Sequence, residues 1–192
     1  SVSIVLLAGL TVAGVLAVTS PDSATAQTAV DPTPETLAAH RGGTLRLVSA
    51  ASGGTLDPQI NYTAKYINLY AVVYDGLTTF RKTTGPRGNE VVADLAETLP
   101  TPQDGGRSYV FTLRPDIRFS NGQPLTTADV VASFRRIFRV GSPTAGSFYS
   151  AIAGADACLN HPVDCSLKDG ISDDPARRTN TFPLAQAGTD FE

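Results

Sequence analysis

Residues 109–138 read YVFTLRPDIRFSNGQPLTTADVVASFRRIF, and this stretch combines the signals of a strand, a turn and a capped helix. Tyr109, Phe111 and Leu113 alternate with residues of the opposite face, a pattern that predicts a strand with one buried side. The Asn-Gly pair at 121–122 predicts a tight turn that uses positive φ angles. The chain therefore reverses direction soon after the strand.

The helix that follows this turn has both a start signal and a buried face. Thr126 is a suitable N-cap residue, and Asp129 stands three positions later, which approximates a capping box. Apolar residues then recur at helical spacing, and they are Val130, Phe134, Ile137 and Phe138. This spacing predicts a helix with one apolar face.

The composition is that of an ordinary globular protein. The chain has 192 residues, a formal net charge of −3 and 42% hydrophobic residues, enough for one good core or two small ones. No stripe of Lys and Arg exists to neutralise phosphates, because the basic residues cluster only briefly near 135–139 and 177–178. We therefore expect no nucleic-acid partner.

The N-terminal segment has the character of an export signal. Residues 2–18 are apolar or small and uncharged, which suits the apolar region of a secretory signal. Residues 24–26 read ATA, a signal-peptidase pattern, so we expect a signal peptide at 1–26 and a mature start at Gln27. The alternative is a retained membrane anchor, since the apolar run approaches the ~20 residues of a membrane span.

Two further expectations follow from the same segment. Neither an initiating Met nor a basic region precedes the apolar run, so we expect the natural chain to begin upstream. No Cys follows the run, so a lipid anchor is not indicated. We expect an exported protein in the periplasm or outside the cell, associated with the cell surface.

The two cysteines, Cys158 and Cys165, are separated by LNHPVD. In an exported protein such a close pair predicts a disulfide, and the chain-entropy estimate for so short a loop is only ~2.5 kcal/mol. The alternative is a zinc site that adds His161. That alternative lacks the fourth ligand that structural zinc requires.

The rest of the chain gives weaker local signals. We predict a flexible tether at 27–42, strands at 44–48 and 77–80, and a turn at 56–58. A helix is predicted at 64–74 and a shorter one at 147–152, and the DGG sequence at 104–106 predicts a hairpin into the strand at 108–114. From residue 166 onward the sequence is polar and has no convincing period.

Taken in order, several segments resemble one family. GGTLRLV, LDPQ, YDGLTTF, LAETLP and the block from residue 109 to 137 are similar to the N-terminal part of the family 5 extracellular solute-binding proteins of ABC importers, the oligopeptide, dipeptide and nickel type. The resemblance covers residues 43–154. Its most specific part is 113–134.

The resemblance implies an α/β fold of the periplasmic-binding-protein type II, present incompletely. Residues 43–192 would form the start of lobe I and its accessory subdomain, as the N-terminal portion of a longer protein. Family members capture a solute between two closing lobes and deliver it to an ABC permease in the membrane. The implied function is capture of oligopeptides or dipeptides by a monomeric, non-catalytic protein.

The resemblance also indicates residues that contact the solute. The segment after the LDP turn would pair with the ligand backbone, and an aromatic residue after the long helix would line the cleft. The candidates are Asn61, Tyr62, Thr63 and Ala64 for the first role and Phe148 or Tyr149 for the second. The alternative for the tyrosines is ordinary packing at the edge of the core.

Two other functions compete with solute binding. An enzyme would have only His40 and His161 as imidazole bases. The sequence contains no G-x-S-x-G nucleophile elbow, no H-E-x-x-H zinc-binding motif and no Gly-rich phosphate-binding loop. A carboxylate pair for glycoside hydrolysis stays open, since Glu90, Asp94, Glu97 and Asp104 are spread over extended segments. We expect no catalysis, no cofactor and no metal. The second alternative is an exported adhesive domain, or a fragment without ligand binding.

Overall fold

The computed structural model of the protein describes residues 33–39, 41–44, 46 and 54–188. Its helices are α1 (Pro34–Ala39), α2 (Ala64–Val73), α3 (Thr127–Arg139), α4 (Ala145–Phe148) and α5 (Ala155–Asn160). Its strands are β1 (Thr78–Phe80), β2 (Val91–Ala93), β3 (Ser108–Thr112), β4 (Ser172–Asp174) and β5 (Thr179–Pro183). Short 3-10 helices occupy Pro86–Asn89 and Pro162–Asp164.

The main sheet is antiparallel and has the strand order β3-β5-β4. Tyr109 pairs with Phe182 and Phe111 pairs with Asn180, and all these side chains are buried. The strand predicted at 108–114 is confirmed as β3, which ends at Thr112. The main partner of β3 is β5, at Thr179–Pro183, and not the preceding hairpin.

The description of the tail beyond residue 166 as a segment without periodic structure was wrong. This tail supplies β4 and the central strand β5. Asn180 is fully buried in β5, and its Nδ2 donates a hydrogen bond to the carbonyl of Thr127 at 3.0 Å. A polar residue at a core position hides the alternation, so the strand could not be read from hydropathy.

Helix α3 forms as predicted. Thr126 is its N-cap, its side chain accepts from the Asp129 N–H, and the Asp129 carboxylate accepts from the Thr126 N–H, which completes the capping box. The helix lies on the sheet: Phe134 contacts Phe182 with ring centroids 4.9 Å apart. Val130, Ile137 and Phe138 are buried as expected, and Phe134 is half-buried.

The turn at Asn121-Gly122 is real, but the expectation of positive φ at both residues was wrong. Only Gly122 has a positive φ, of 85°. Asn121 has a negative φ, and its side chain accepts from the Gln123 N–H at 3.0 Å, which stabilises the turn locally. The N–H of Phe119 then donates to the Gln123 carbonyl at 2.8 Å.

Other local predictions have mixed outcomes. The helix at 64–74 and the strand at 77–80 are confirmed as α2 and β1, which pairs with β2. The turn at 104–106 leads only to an isolated bridge between Gln103 and Ser108. The bounds 147–152 were wrong, because the helix there is α4 at Ala145–Phe148. Helix α5 was not predicted.

The structure contains the predicted disulfide between Cys158 and Cys165, with Cα atoms 4.5 Å apart. Both sulfurs are bonded to each other, so neither is available to zinc, and the described residues contain no cluster of metal-ligating side chains. The bridge links Cys158 in α5 to Cys165, the residue that follows the 3-10 helix Pro162–Asp164.

Several predictions concern residues outside the described ranges. The signal peptide at 1–26 lies outside them, and so do most residues of the strand at 44–48. Helix α1 lies within the stretch predicted as a tether, and the tether itself stays a prediction. Within the described ranges, no helix has the length and apolar character needed to cross a membrane.

Candidate functional site

A tight turn at residues 57–61 precedes the segment that was predicted to contact a ligand. The Asp57 carbonyl accepts from the N–H groups of Ile60 at 3.1 Å and Asn61 at 3.0 Å. The Asp57 carboxylate also accepts from the Gln59 N–H at 3.0 Å. The turn predicted at 56–58 is present with different bounds, at 57–61, and the Asp57 side chain stabilises it.

Helix α3 holds one side of this turn. The Arg136 guanidinium donates to both carboxylate oxygens of Asp57, at 3.1 Å to Oδ1. It also donates to Gln59 Oε1 at 2.7 Å, and Gln59 Nε2 donates to the carbonyl of Ser133 at 3.0 Å. The hydrogen bond from Arg136 lowers the pKa of Asp57 below its usual value, although desolvation partly opposes this.

Helix α2 holds the other side. The Tyr70 hydroxyl donates to the Asn61 carbonyl at 3.1 Å, and the Tyr74 hydroxyl donates to the Leu56 carbonyl at 3.4 Å. Tyr66, Tyr70 and Tyr74 follow one another along the helix at a spacing of four residues, with successive ring centroids 5.9 Å apart. The turn is thus fixed between two helices that are far apart in sequence.

The contacts from α2 and α3 that hold the turn at 57–61 are called the clamp below. The segment from Asn61 to Ala64 follows this turn directly. Thr63 has an extended backbone (φ −130°, ψ 145°) and is the N-cap of α2, and Ala64 is the first residue of the helix. Among the described residues, the backbone N–H and C=O of Tyr62 have no hydrogen-bond partner. An extended backbone with unpaired groups can accept an added peptide strand.

The structure brings Tyr62 next to Phe148, which was the second predicted contact. Their ring centroids are 5.4 Å apart in an edge-to-face arrangement at 71°. The two residues are 52% and 53% exposed, so the pair lies on the surface. Two positions that were predicted separately therefore form one aromatic patch, which we call the Tyr62–Phe148 pair.

Tyr149 lies behind this pair. It is half-buried, and its ring packs edge-on against Phe134 at 5.6 Å. Burial raises the pKa of the Tyr149 hydroxyl, and the nearby Tyr62 adds to the rise. Of the two aromatic candidates after α3, Phe148 is exposed at the surface, whereas the half-buried Tyr149 packs between Phe148 and Phe134.

The clamp residues Gln59, Ser133 and Arg136 were not identified from sequence. Arg136 was treated only as part of a small basic cluster. One signal was available: Ser133 and Arg136 are three residues apart, which places them on one face of α3, away from the buried positions. Their partner in the LDP turn lies 79 residues from Arg136, and no local pattern connects the two.

Two surface depressions lie elsewhere on the described chain. One of about 360 Å³ is beside the disulfide and is lined by residues such as His161 and Lys168. The other, of about 230 Å³, is near the start of α3 and is lined by residues such as Arg114 and Arg178. Neither depression is lined by Tyr62 or Phe148, whose side chains are 52% and 53% exposed.

Comparison with known families and proteins gives a consistent result. The family described as bacterial extracellular solute-binding proteins, family 5 Middle, matches residues 90–187, just over half of the chain. The probable peptide-binding protein YejA of Agrobacterium fabrum is 32% identical over 118 residues, covering 62% of this chain and 18% of that protein. The probable D,D-dipeptide-binding periplasmic protein DdpA of Escherichia coli is 30% identical over 119 residues, covering 62% of this chain and 22% of its own length.

Solved structures show the same fold. Clavulanic acid biosynthesis oligopeptide binding protein 2 superposes with a TM-score of 0.64 at 28% identity, covering 79% of this chain and 28% of that chain. The Escherichia coli murein tripeptide binding protein MppA superposes with a TM-score of 0.60 at 23% identity, covering 71% and 26%. The expected α/β fold of the periplasmic-binding-protein type II is confirmed, in part of its length. The chain spans about a fifth of the curated relatives it matches.

Proposed function

The chain belongs to the bacterial extracellular solute-binding proteins of family 5, and on this premise we propose that it captures peptides outside the cytoplasmic membrane for an ABC importer. The observation that carries the proposal is the Tyr62–Phe148 pair beside a Tyr62 backbone that is unpaired among the described residues. The names of the relatives support a peptide ligand, since two of them refer to peptides or dipeptides.

Recognition would begin with the main chain. The N–H and C=O of Tyr62 would pair with the backbone of an extended peptide, while Asn61, Thr63 and Ala64 would line the same side. Main-chain pairing gives affinity without selecting side chains, which suits a transporter for peptides of varied sequence. The clamp from α2 and α3 keeps this segment in place before the ligand arrives, which reduces the entropy cost of binding.

The aromatic pair would supply the apolar contact. Phe148 presents its exposed ring next to Tyr62, and together they offer a surface for a ligand side chain. Tyr149, which packs on Phe134, would hold Phe148 at this position. A second lobe closing over this open surface would bury the ligand, and the closed form would dock on the membrane permease.

The other parts of the proposal concern export. Residues 1–26 would direct the chain across the membrane and be removed, and residues 27–42 would tether the binding domain. The protein would act as a monomer, without a catalytic residue, a cofactor or a nucleic-acid partner. Its disulfide suits the oxidising compartment that this location provides.

The test is ligand-dependent stabilisation of the full-length protein. We expect members of a library of di- to pentapeptides to raise the unfolding free energy by about 2.7 kcal/mol at 100 times their dissociation constant. Glycine amide and free sugars serve as controls. Saturable binding of peptides supports the proposal. A folded protein that no peptide stabilises contradicts it and favours an adhesive role.

A further inference from the structure

Arg136 is the only arginine in the described chain that donates to three acceptors of the LDP turn. Its guanidinium reaches both carboxylate oxygens of Asp57 and the side-chain oxygen of Gln59. A planar guanidinium suits this forked arrangement, because its donors are fixed relative to one another. The contact therefore fixes the orientation of the turn as well as its distance from α3.

The same helix positions the other half of the aromatic pair. Phe134 lies two residues before Arg136 on α3, and its ring contacts both Phe182 of the core and Tyr149 at 5.6 Å. Tyr149 in turn contacts Phe148, with ring centroids 6.5 Å apart. One capped helix thus locates Tyr62 through the turn and Phe148 through the core.

We propose that Arg136 is a positioning residue of the ligand site, which holds Tyr62 against Phe148 by fixing the LDP turn on α3. The effect on the rings depends only on the geometry described above. The effect on peptide affinity rests on the proposed function. Arg136 itself need not touch the ligand.

The position of Arg136 separates this role from a contribution to stability. The side chains of Arg136 and Asp57 are 47% and 21% exposed, and ion pairs near the surface contribute little to the stability of a fold. Replacing Arg136 is therefore expected to release the turn without unfolding the sheet. A readout at Tyr62 can detect the released turn even when the melting temperature does not change.

The first experiment observes Tyr62 without any ligand. The full-length protein is labelled with 3-fluorotyrosine, and the Tyr62 fluorine signal is assigned by its loss in Tyr62→Phe. We expect Phe148→Leu to move this signal, because it removes the ring current of the neighbouring ring. We expect Arg136→Gln to move it in the same direction. Arg136→Lys should restore only part of the shift, since an ammonium group lacks the planar fork.

Arg177→Gln is the matched control. Arg177 also pairs with an aspartate, Asp174, at 3.8 Å, but it lies between β4 and β5 and is 81% exposed. This control should leave the Tyr62 signal unchanged. An unchanged Tyr62 signal in Arg136→Gln overturns the proposal, and so does an equal shift in Arg177→Gln.

The second experiment measures peptide affinity of the same variants. A turn that is correctly placed only part of the time raises the apparent Kd by the inverse of that fraction, and we expect about a fivefold rise in Arg136→Gln and none in Arg177→Gln. A displaced Tyr62 signal with unchanged affinity overturns the positioning role. Absence of peptide binding in the unmodified protein contradicts the proposed function instead, and the fluorine signals still decide whether Arg136 holds the turn.

Discussion

Truncation to alanine is expected to destabilise the fold at Phe182 and to weaken peptide binding, with little loss of stability, at Phe148. Phe182 has no exposed surface and lies in the central strand β5, with its ring 5.5 Å from Phe111 and 4.9 Å from Phe134. Phe148 is 53% exposed at the end of α4. Burial predicts that Phe182 supports the fold, whereas exposure predicts that Phe148 is available to a ligand.

The expected magnitudes differ strongly. Truncating a buried phenylalanine to alanine removes its transfer free energy and leaves a cavity, which costs about 3 to 5 kcal/mol. Phe148→Ala should change the unfolding free energy by no more than about 0.5 kcal/mol, as surface substitutions usually do. If Phe182→Ala does not fold, Phe182→Leu should still cost about 1 to 2 kcal/mol, a smaller loss from the same buried site.

Urea unfolding followed by circular dichroism gives both values, and titration with a bound peptide gives the affinity. With slopes of about 1 to 3 kcal/mol per molar urea, Phe182→Ala should lower the midpoint by roughly 1 M or more. Phe148→Ala should keep the midpoint and weaken peptide binding. The reasoning is refuted if Phe148→Ala destabilises the protein as much as Phe182→Ala, or if the truncation of Phe182 costs less than about 1 kcal/mol.

Three further outcomes are expected, each measured by urea unfolding. Thr126→Ala should cost about 1 kcal/mol because it removes the N-cap of α3, and a cost near zero would contradict the capping box. Replacing both Cys158 and Cys165 by serine should cost about 2.5 kcal/mol, as the short loop predicts; an unchanged midpoint would argue against this value. Because Arg136 lowers the pKa of Asp57, this partly exposed ion pair adds a small stabilisation, at most about 1 kcal/mol, above about pH 4, and the stabilisation is lost as the pH falls through the lowered pKa. The stability difference between the unmodified protein and Asp57→Asn should therefore shrink below about pH 4, and a difference that grows there would contradict the sign.

The parts of the fold that were predicted correctly depend on neighbouring residues. The capping box of Thr126 and Asp129 spans three positions, and the alternation of Tyr109 and Phe111 spans a single strand. Such signals are local because the hydrogen bonds and the periodic burial that produce them are local. These signals identified β3 and α3 and indicated which of their side chains are buried.

The parts that were missed depend on contacts between distant residues. Asn180 is buried in β5, where the Thr127 carbonyl, 53 positions away in sequence, accepts a hydrogen bond from its side-chain amide. Nothing near residue 180 indicates that partner. For the same reason the tail beyond residue 166 gave no strand signal, although it forms the centre of the sheet.

The candidate site combines both situations. Tyr62 and Phe148 were each indicated by resemblance to a family, but their contact at 5.4 Å became visible only in the folded chain. The link between Asp57 and Arg136 spans 79 positions and has no sequence pattern that would reveal it. Resemblance to the family therefore indicated the candidate residues themselves, whereas no sequence pattern indicated the residues that hold their turn in place.

The most direct test of the account is amide hydrogen exchange at residues 61–64 in the full-length protein, with and without a peptide that stabilises it. We expect the Tyr62 amide to exchange much more slowly in the complex, because its N–H would pair with the peptide backbone. Amides of β3 serve as the reference, since they are already paired with β5. A bound peptide that leaves exchange at residues 61–64 unchanged would contradict the account.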